Sequence, residues 1–488
     1  MKGAYKTESI RRAERAAKEK ASEDELIERA ADRLCEIAMR VPFSRAVILA
    51  GGGNNGSDAL SLAHLLMERA FETVVYVVGD KRNGFVNKRI IALGESGADI
   101  VCPESADDVE ISAADLVIDG LLGIGCNREV TGIMRDIVNK VNESGAYVIS
   151  VDVPTGLDSD TGRPRGAAIR ANETVTFIGL KQGFFLADGK NHTGRIALCD
   201  IGVPIGAPDV LIAEAEDVGM PARLPVSNKG TYGSVKVIAG SPTMMGASLL
   251  AHESAQASLR GGAGYAVLCV PRSLASVYQA RVKEEMLFFM PDDGGMTAYD
   301  EAALDAVMKK ASAIVLGPGM GRNPDLIKMI SYISADFDGT FVIDGDGLNA
   351  LATDLGAVEG HKCKLILTPH VAEFARLTRD DGALPDTDRT AALAEKLKAV
   401  VVMKNATTVI SDGVRTFVNI TGSPAMAKAG SGDVLSGLVA ALSVTFDPLK
   451  AAVTACYYFG KAGERAASER GEWSVLASDV ILKLEDVG

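Results

Sequence analysis

Two textures alternate along the N-terminal half of the chain. Short runs that are apolar at nearly every position, AVILA (46–50), TVVYVVG (73–79), ADLVIDG (114–120), AYVISVDV (146–153) and ETVTFIGL (173–180), are mostly separated by stretches of helical spacing. Runs without a polar face are what strands need when a parallel sheet is covered on both sides. Their alternation with helical segments predicts βαβ units. From Leu26 to Met39 the apolar positions fall at helical spacing among Glu and Arg, which predicts an amphipathic helix lying on that sheet. Between Gly202 and Lys229 the pattern weakens and four prolines interrupt it. A boundary is therefore expected near 215–228, dividing the chain into domains 1–220 and 221–488. A second series then begins: SVKVIAG (234–240), YAVLCV (265–270), AIVLG (313–317), TFVID (340–344), KLILT (364–368) and VVVMKNATTVIS (400–411). The expected class is α/β, with two three-layer αβα domains.

Composition narrows the function classes. With 24% charged and 47% apolar residues in 488, the chain has the make-up of folded domains. A net charge of −13 provides no overall field for nucleic acid or an anionic membrane, so neither is expected as a partner and an anionic ligand needs a local pocket. Seven scattered cysteines without a C-x-x-C pair fit reduced thiols, hence a cytoplasmic protein. The first residues lack an apolar signal core, and no run approaches the roughly 18 apolar residues of a membrane span.

The segment Gly51-Gly52-Gly53-Asn54-Asn55-Gly56 fits G-x-G-x-x-G between a strand and a helix, with Asp80 after the next strand. That is a dinucleotide-binding, Rossmann-like pattern, although a tight turn needs glycine without any ligand. Asn55, Asp119 and Asp152 each follow a predicted strand, and such carboxyl ends converge on one crevice. Two carboxylates, an amide and the Thr155 hydroxyl could hold a hard cation, or one carboxylate could act as a base. The glycine turn at 123–125 offers backbone N–H groups to a phosphate. Lys181, just past a strand end, either joins that site or is a solvated surface lysine.

Together GGGNNGSDAL (51–60), VIDGLLGIG (117–125) and VDVPTGLDSDTG (151–162) resemble the NAD(P)H-hydrate epimerase domain, over roughly residues 1–215. The resemblance implies a site for the hydrated dinucleotide lined by Asn54, Asn55, Gly56, Ser57 and Asp58, and by Gly123, Ile124, Gly125, Cys126, Asn127, Arg128 and Glu129. It implies Asp152 at the modified ring, in a catalytic role, and K⁺ held by Asn55, Asp119 and Thr155. Ser57 and Ala59 stand where that family usually has glycine.

In the second half, TGSPAMAKAGSGDVLSGLVAAL (421–442) places Gly430-Ser431-Gly432-Asp433 at the start of an apolar helical run. Small residues there free the first N–H groups of a helix to face an anion, and the helix dipole adds to the attraction. Asp433, in that first turn, is positioned to take a proton from a hydroxyl held against it. This G-x-G-D arrangement resembles the ribokinase-like fold. With KGTYGSVKVIAGS (229–241), GPGMG (317–321), DGDGLN (344–349), TPHVAEFARL (368–377) and MKNATTVIS (403–411), it resembles the ADP-dependent NAD(P)H-hydrate dehydratase over about 222–488. The resemblance implies that catalytic Asp433, with Ala247, Gly321 and His370, contacts the hydrated nicotinamide. Lys404, Asn405, Ala406, Thr407, Thr408 and Gly432 would hold the adenine nucleotide, with Mg²⁺ helping to hold the phosphates. Lys428 stands where Thr is usual, and its charge beside the cradle bears on nucleotide preference; Gly345 and Gly347 stand where Ala is common.

The combined expectation is a fused repair enzyme for hydrated NADH and NADPH. One domain exchanges the hydrate epimers, and the other dehydrates one epimer with ADP, giving NAD(P)H, AMP and phosphate. A homo-oligomer is expected. The alternatives are a kinase of a small hydroxylated vitamin precursor, since G-x-G-D does not say whether phosphate stays on the product, and a first domain that only binds nucleotide or scaffolds.

Overall fold

The computed structural model describes residues 2–484 except Asn127, Pro221, Thr243 and Met244. The chain divides into two compact units, Gly3–Asp209 and Val210–Gly488, the latter taking in the first two residues.

In the first unit, strands β2 (Arg45–Ala50), β3 (Glu72–Val77), β4 (Asp99–Val101), β5 (Leu116–Gly120), β6 (Tyr147–Val151), β7 (Glu173–Phe177) and β9 (Arg195–Cys199) form one sheet. The order is β4-β3-β2-β5-β6-β7-β9, and every neighbouring pair is parallel. Each face carries its own apolar cluster, one containing Ile48 and Ile118, the other Leu49 and Val117. Successive side chains of β2 and β5 thus enter opposite cores, which is why these strands read as unbroken apolar runs. The predicted amphipathic helix is Glu23–Ala38, begun by a capping box in which Ser22 and Glu25 exchange hydrogen bonds. A short strand β1 (Gly3–Tyr5) pairs in parallel with β8 (Leu180–Lys181), setting Tyr5 beside Lys181.

The second unit has β10 (Val210–Ile212), β11 (Ser234–Ile238), β12 (Tyr265–Pro271), β13 (Met286–Met290), a small hairpin of β14 (Asp292–Asp293) and β15 (Met296–Thr297), β16 (Ala313–Leu316), β17 (Thr340–Ile343), β18 (Lys364–Leu367), β19 (Val400–Met403), β20 (Thr408–Ser411) and β21 (Thr416–Asn419). Its large sheet runs β13-β12-β11-β16-β17-β18-β19-β20-β21-β10. Pairing is parallel from β13 to β19, antiparallel through β20 and β21, and parallel again at β10. The single run expected over 400–411 is two strands, because the Lys404 N–H leaves the ladder to bond the Pro369 carbonyl at 2.8 Å and the chain turns back after it. Residues 210–212, read as part of an interrupted linker, add an edge strand to this second sheet, so by packing the change of unit falls N-terminal to the 220/221 division. Helix Met245–Arg260 packs on helix Ser431–Leu442, where the Ser258 hydroxyl donates to the Gly437 carbonyl at 3.0 Å. That contact fixes the element that carries Asp433.

Candidate functional sites

A cleft of about 700 Å³ opens in the first unit over the carboxyl ends of its central strands, where an open parallel sheet presents its loops. Asn54, Asn55, Asp58, Gly123, Ile124, Gly125, Cys126, Arg128, Asp152 and Lys181 line it, as does Glu14 from the N-terminal helix Thr7–Ala17. Asp152 adopts φ +61°, a left-handed conformation that costs a non-glycine residue energy and that folds retain at functional positions. Its carboxylate accepts from the ammonium of Lys181, from the Thr176 hydroxyl at 3.1 Å and from the Phe177 N–H at 3.2 Å. Lys181 is fully buried and also donates to Thr176 Oγ1 at 2.8 Å and the Phe177 carbonyl at 3.1 Å, so it belongs to the site rather than to the surface. Two further carboxyls, Glu14 and Asp58, stand near this pair. Burial first, then the Asp152 charge, raises both above the usual carboxylate range.

Beneath the cleft lies an oxygen-rich knot. Asp119 is wholly buried and accepts from Thr155 Oγ1 at 2.5 Å, Thr155 N at 2.9 Å and Ser150 Oγ at 2.7 Å. The Asn55 amide reaches the Val151 carbonyl at 2.6 Å and the Leu122 carbonyl at 3.2 Å. The three residues expected to hold a cation are thus brought together. Gly56 and Ser57 are buried behind the helix start, with Ser57 Oγ 3.4 Å from the Gly53 carbonyl, and Glu129 is exposed. Asn127 lies outside the described residues. Ala59, where glycine was usual, is accommodated by Gly120: a Cβ at 120 would lie 2.5 Å from the Ala59 methyl carbon. The bulk added on the helix is matched by its absence on β5.

In the second unit the ends of β16, β17, β18 and β19 bring Gly321, Asp344, Asp346, His370, Glu373 and Lys404 toward the start of helix Ser431–Leu442. Gly430 caps that helix in the left-handed conformation, at φ +90°. Lys404 donates to Asp344 Oδ1 at 2.8 Å, and a Cβ on Gly432 would lie 3.0 Å from the same ammonium, so the glycine makes room for the cation. Asp346 accepts from Gly321 N at 2.7 Å. The half-buried Asp433 carboxyl is pushed up to about 8, by burial first and then by the charge of Asp344, with Lys404 opposing. Glu373 and Glu253, both raised to about 7 chiefly by burial, complete an acidic surround. His370 caps helix Val371–Thr378, its Nδ1 accepting from Ala372 N at 3.1 Å while its own N–H donates to Glu373 Oε2 at 2.8 Å. Burial, aided by Lys404, lowers its pKa and favours a neutral ring whose Nε2 lies 3.3 Å from Glu373 Oε1. Asn405 and Ala406 are exposed, Thr407 is buried with its hydroxyl bonded to no described residue, and Ala247 lies on the first turns of helix Met245–Arg260. Lys428 is exposed and donates to the Trp473 carbonyl at 2.7 Å.

Asp344, Asp346, Glu253, Glu14 and the pairing of Lys181 with Asp152 were missed as site features by the sequence reading. DGDGLN contained the signal for Asp344 and Asp346: two carboxylates directly after a strand. Nothing in the spacing of helix Thr7–Ala17 marked Glu14.

Taken together, the folds and clefts define an α/β enzyme in two parts, the second ribokinase-like with a helix-start cradle suited to phosphate. Residues 235–485 match the family described as NAD(P)H-hydrate dehydratase, and residues 23–183 match that of the YjeF-related protein N-terminus. The chain is 34% identical over 471 residues to the bifunctional NAD(P)H-hydrate repair enzyme of Moorella thermoacetica, covering 91% of this chain and 87% of that one. It is 35% identical over 481 residues to the enzyme of the same description from Thermofilum pendens, covering 94% and 90%. Among solved structures, the ADP/ATP-dependent NAD(P)H-hydrate dehydratase of Bacillus subtilis, co-crystallised with ATP and Mg²⁺, aligns with TM-score 0.50 and 28% identity over 58% of this chain and 98% of that chain. The chain belongs to the family of bifunctional NAD(P)H-hydrate repair enzymes.

Proposed function

We propose that the protein repairs hydrated NADH and NADPH, exchanging the R and S epimers in its first unit and dehydrating the S form with ADP in its second. The carrying observation is the position of Asp433: a carboxyl in the first turn behind a glycine cradle, with Lys404 and Asp344 beside it. In this reading Asp433 removes the proton of the ring hydroxyl while the terminal phosphoryl group of ADP passes to that oxygen, leaving AMP. The ring nitrogen's electron pair then expels phosphate, and loss of a proton from the adjoining carbon restores the ring double bond. Lys404 and the helix N-terminus hold the phosphates, which is where most phosphoryl-transfer catalysis resides. Gly321 and His370 border the ring, and residues 404–408 with Gly432 border the nucleotide.

The acidic surround suits a divalent ion carried mainly by phosphates. Among the described residues no three Asp, Glu, His or Cys side chains are placed to cage a metal, and Mg²⁺ characteristically takes one or two carboxylates plus substrate phosphate. Such an ion supplies charge neutralisation on the transferring group. In the first unit, the donor set of Asn55, Asp119 and Thr155 with two backbone carbonyls fits a hard monovalent cation through oxygen, and K⁺ held there would order the loops around Asp152. Seven free thiols support a cytoplasmic setting, and no described helix is long and apolar enough to cross a membrane.

Product analysis tests the dehydratase reading. Restored nicotinamide absorbance with stoichiometric AMP is expected, whereas a stable phosphomonoester would make the second unit a kinase.

A further inference from the structure

The N-terminal helix Thr7–Ala17 lies outside the matched segment 23–183, yet it supplies Ile10, Arg11 and Glu14 to the wall of the first cleft. It is held firmly there. Thr7 N donates to Asp160 Oδ1 at 2.7 Å and Thr7 Oγ1 lies 2.8 Å from Ser159 Oγ, both on the loop that follows Asp152. Strand β1 just before it pairs with the strand that carries Lys181. Of the three carboxyls at the cleft, Asp152 is committed to Lys181, Thr176 and the Phe177 N–H. Glu14, half-buried, has no hydrogen bond or ion pair from its side chain to any described residue, so its carboxyl is free to bond a ligand.

Resting on the epimerase reading above, we propose that Glu14 is the general acid–base of epimer exchange. The Glu14 carboxyl protonates the ring hydroxyl, the C–O bond breaks with the ring nitrogen's pair, and water leaves. A cyclic iminium remains, its charge balanced by the Glu14 and Asp152 carboxylates. Water adds to either face of that carbon while Glu14 takes a proton back, so atoms and charge return to the start with the centre inverted or retained.

The surroundings suit this cycle. The groups facing Glu14 are Asp152 and Asp58, which favour its protonated form, and Lys181, Lys18 and Arg11, which oppose it. Asp58 is raised as well, by burial first, then Asp152, with Arg89 opposing. A group that must release and recover a proton in each turnover works best with a pKa near the working pH.

The test uses the full chain without nucleotide, following epimer exchange and uptake of labelled oxygen from solvent water. The unaltered protein is expected to exchange epimers with label uptake, its kcat falling as pH rises through the Glu14 titration. Glu14→Gln is expected to lose at least about 100-fold in kcat with little change in KM, and to lose that alkaline limb. Glu14→Asp, which keeps the carboxyl, should retain part of the rate with the limb displaced. Where Glu14→Gln does not fold, full rate and an unmoved limb in Glu14→Asp overturn the assignment. Exchange in Glu14→Gln within threefold of the unaltered rate, or exchange without label uptake, also overturns it. No exchange by the unaltered chain defeats instead the epimerase reading on which it rests.

Discussion

Lys404 and Asp344 form an ion pair, 2.8 Å from ammonium to carboxylate, at the foot of the helix that carries Asp433. Burial opposes the charge on Lys404, but Asp344 and Glu373 outweigh it, with Asp433 adding to the effect. The lysine is thereby fixed as a cation, and it is the main cation opposing the rise of the Asp433 pKa. Lys404→Met is expected to weaken nucleotide use, lowering kcat/KM by roughly 100-fold, and to move the pH limb of dehydration to higher pH. An unmoved limb in the pH–rate profile would separate Lys404 from Asp433.

Because the Asp433 carboxyl titrates at about 8, dehydration that uses it as a base rises with pH through that region. Asp433→Asn is expected to lower ADP-dependent repair by roughly 10³-fold, while epimer exchange, housed in the other unit, continues. Loss of both activities in a folded variant would contradict separate sites.

The same carboxyl sets a stability trend of definite sign. Asp433, Glu253 and Glu373 hold their protons more tightly in the fold than in the unfolded chain, with values of about 8, 7 and 7. The folded state therefore binds more protons than the unfolded one between the ordinary carboxylate range and these values, and stability falls as pH rises through that window. Asp433→Asn removes one such group and is expected to melt about 2–4 °C higher at pH 8, a gain of roughly 1 kcal/mol. Calorimetry at pH 5 and pH 8 checks it: the gain should shrink at the lower pH.

Asp119, fully buried, spends both carboxylate oxygens on Thr155 and Ser150. Asp119→Ala is expected to abolish the stimulation of epimer exchange by K⁺ and to leave ADP-dependent turnover of the S hydrate intact. Should K⁺ have no effect on the unaltered chain, the cation assignment fails.

Gly120 and Ala59 are complementary in volume. Gly120→Ala would overpack the contact and is expected to destabilise the first unit by about 1–3 kcal/mol. Adding Ala59→Gly should recover part of that loss. Recovery will be incomplete, because the same Cβ meets the Asn55 carbonyl at 2.9 Å. Equal stability of the single and double variants would show that the contact is not limiting.

Much of this was legible in the chain because parallel strands buried on both faces advertise themselves: AVILA and KLILT lie within a residue of β2 and β18. Asn55, Asp119 and Asp152 were expected to converge from their places at strand ends, and Asp152 does directly follow β6, whereas Asp119 is the penultimate residue of β5. What escaped depended on distant partners. Gly3–Tyr5 and Val210–Ile212 are three-residue strands whose pairing is decided by residues far along the chain, so local pattern says little about them. The role of Lys181 was open for the same reason: its burial comes from Asp152, Thr176 and the β1 pairing, none of which its neighbours announce. Lys428 invited a role at the phosphate cradle by its position in sequence, yet its ammonium bonds the Trp473 carbonyl, 45 residues onward. Hydropathy also could not divide 400–411, since both arms of the hairpin are apolar and only the turn at Lys404 separates them.

The most direct test of the whole account is incubation of the unaltered protein with a mixture of both hydrate epimers, ADP and Mg²⁺, following NAD(P)H recovery. Recovery approaching the total hydrate, with one AMP formed per NAD(P)H, is the predicted result. Recovery that halts at the share of one epimer would contradict epimer exchange by the first unit, and a phosphorylated product without NAD(P)H would contradict dehydration by the second.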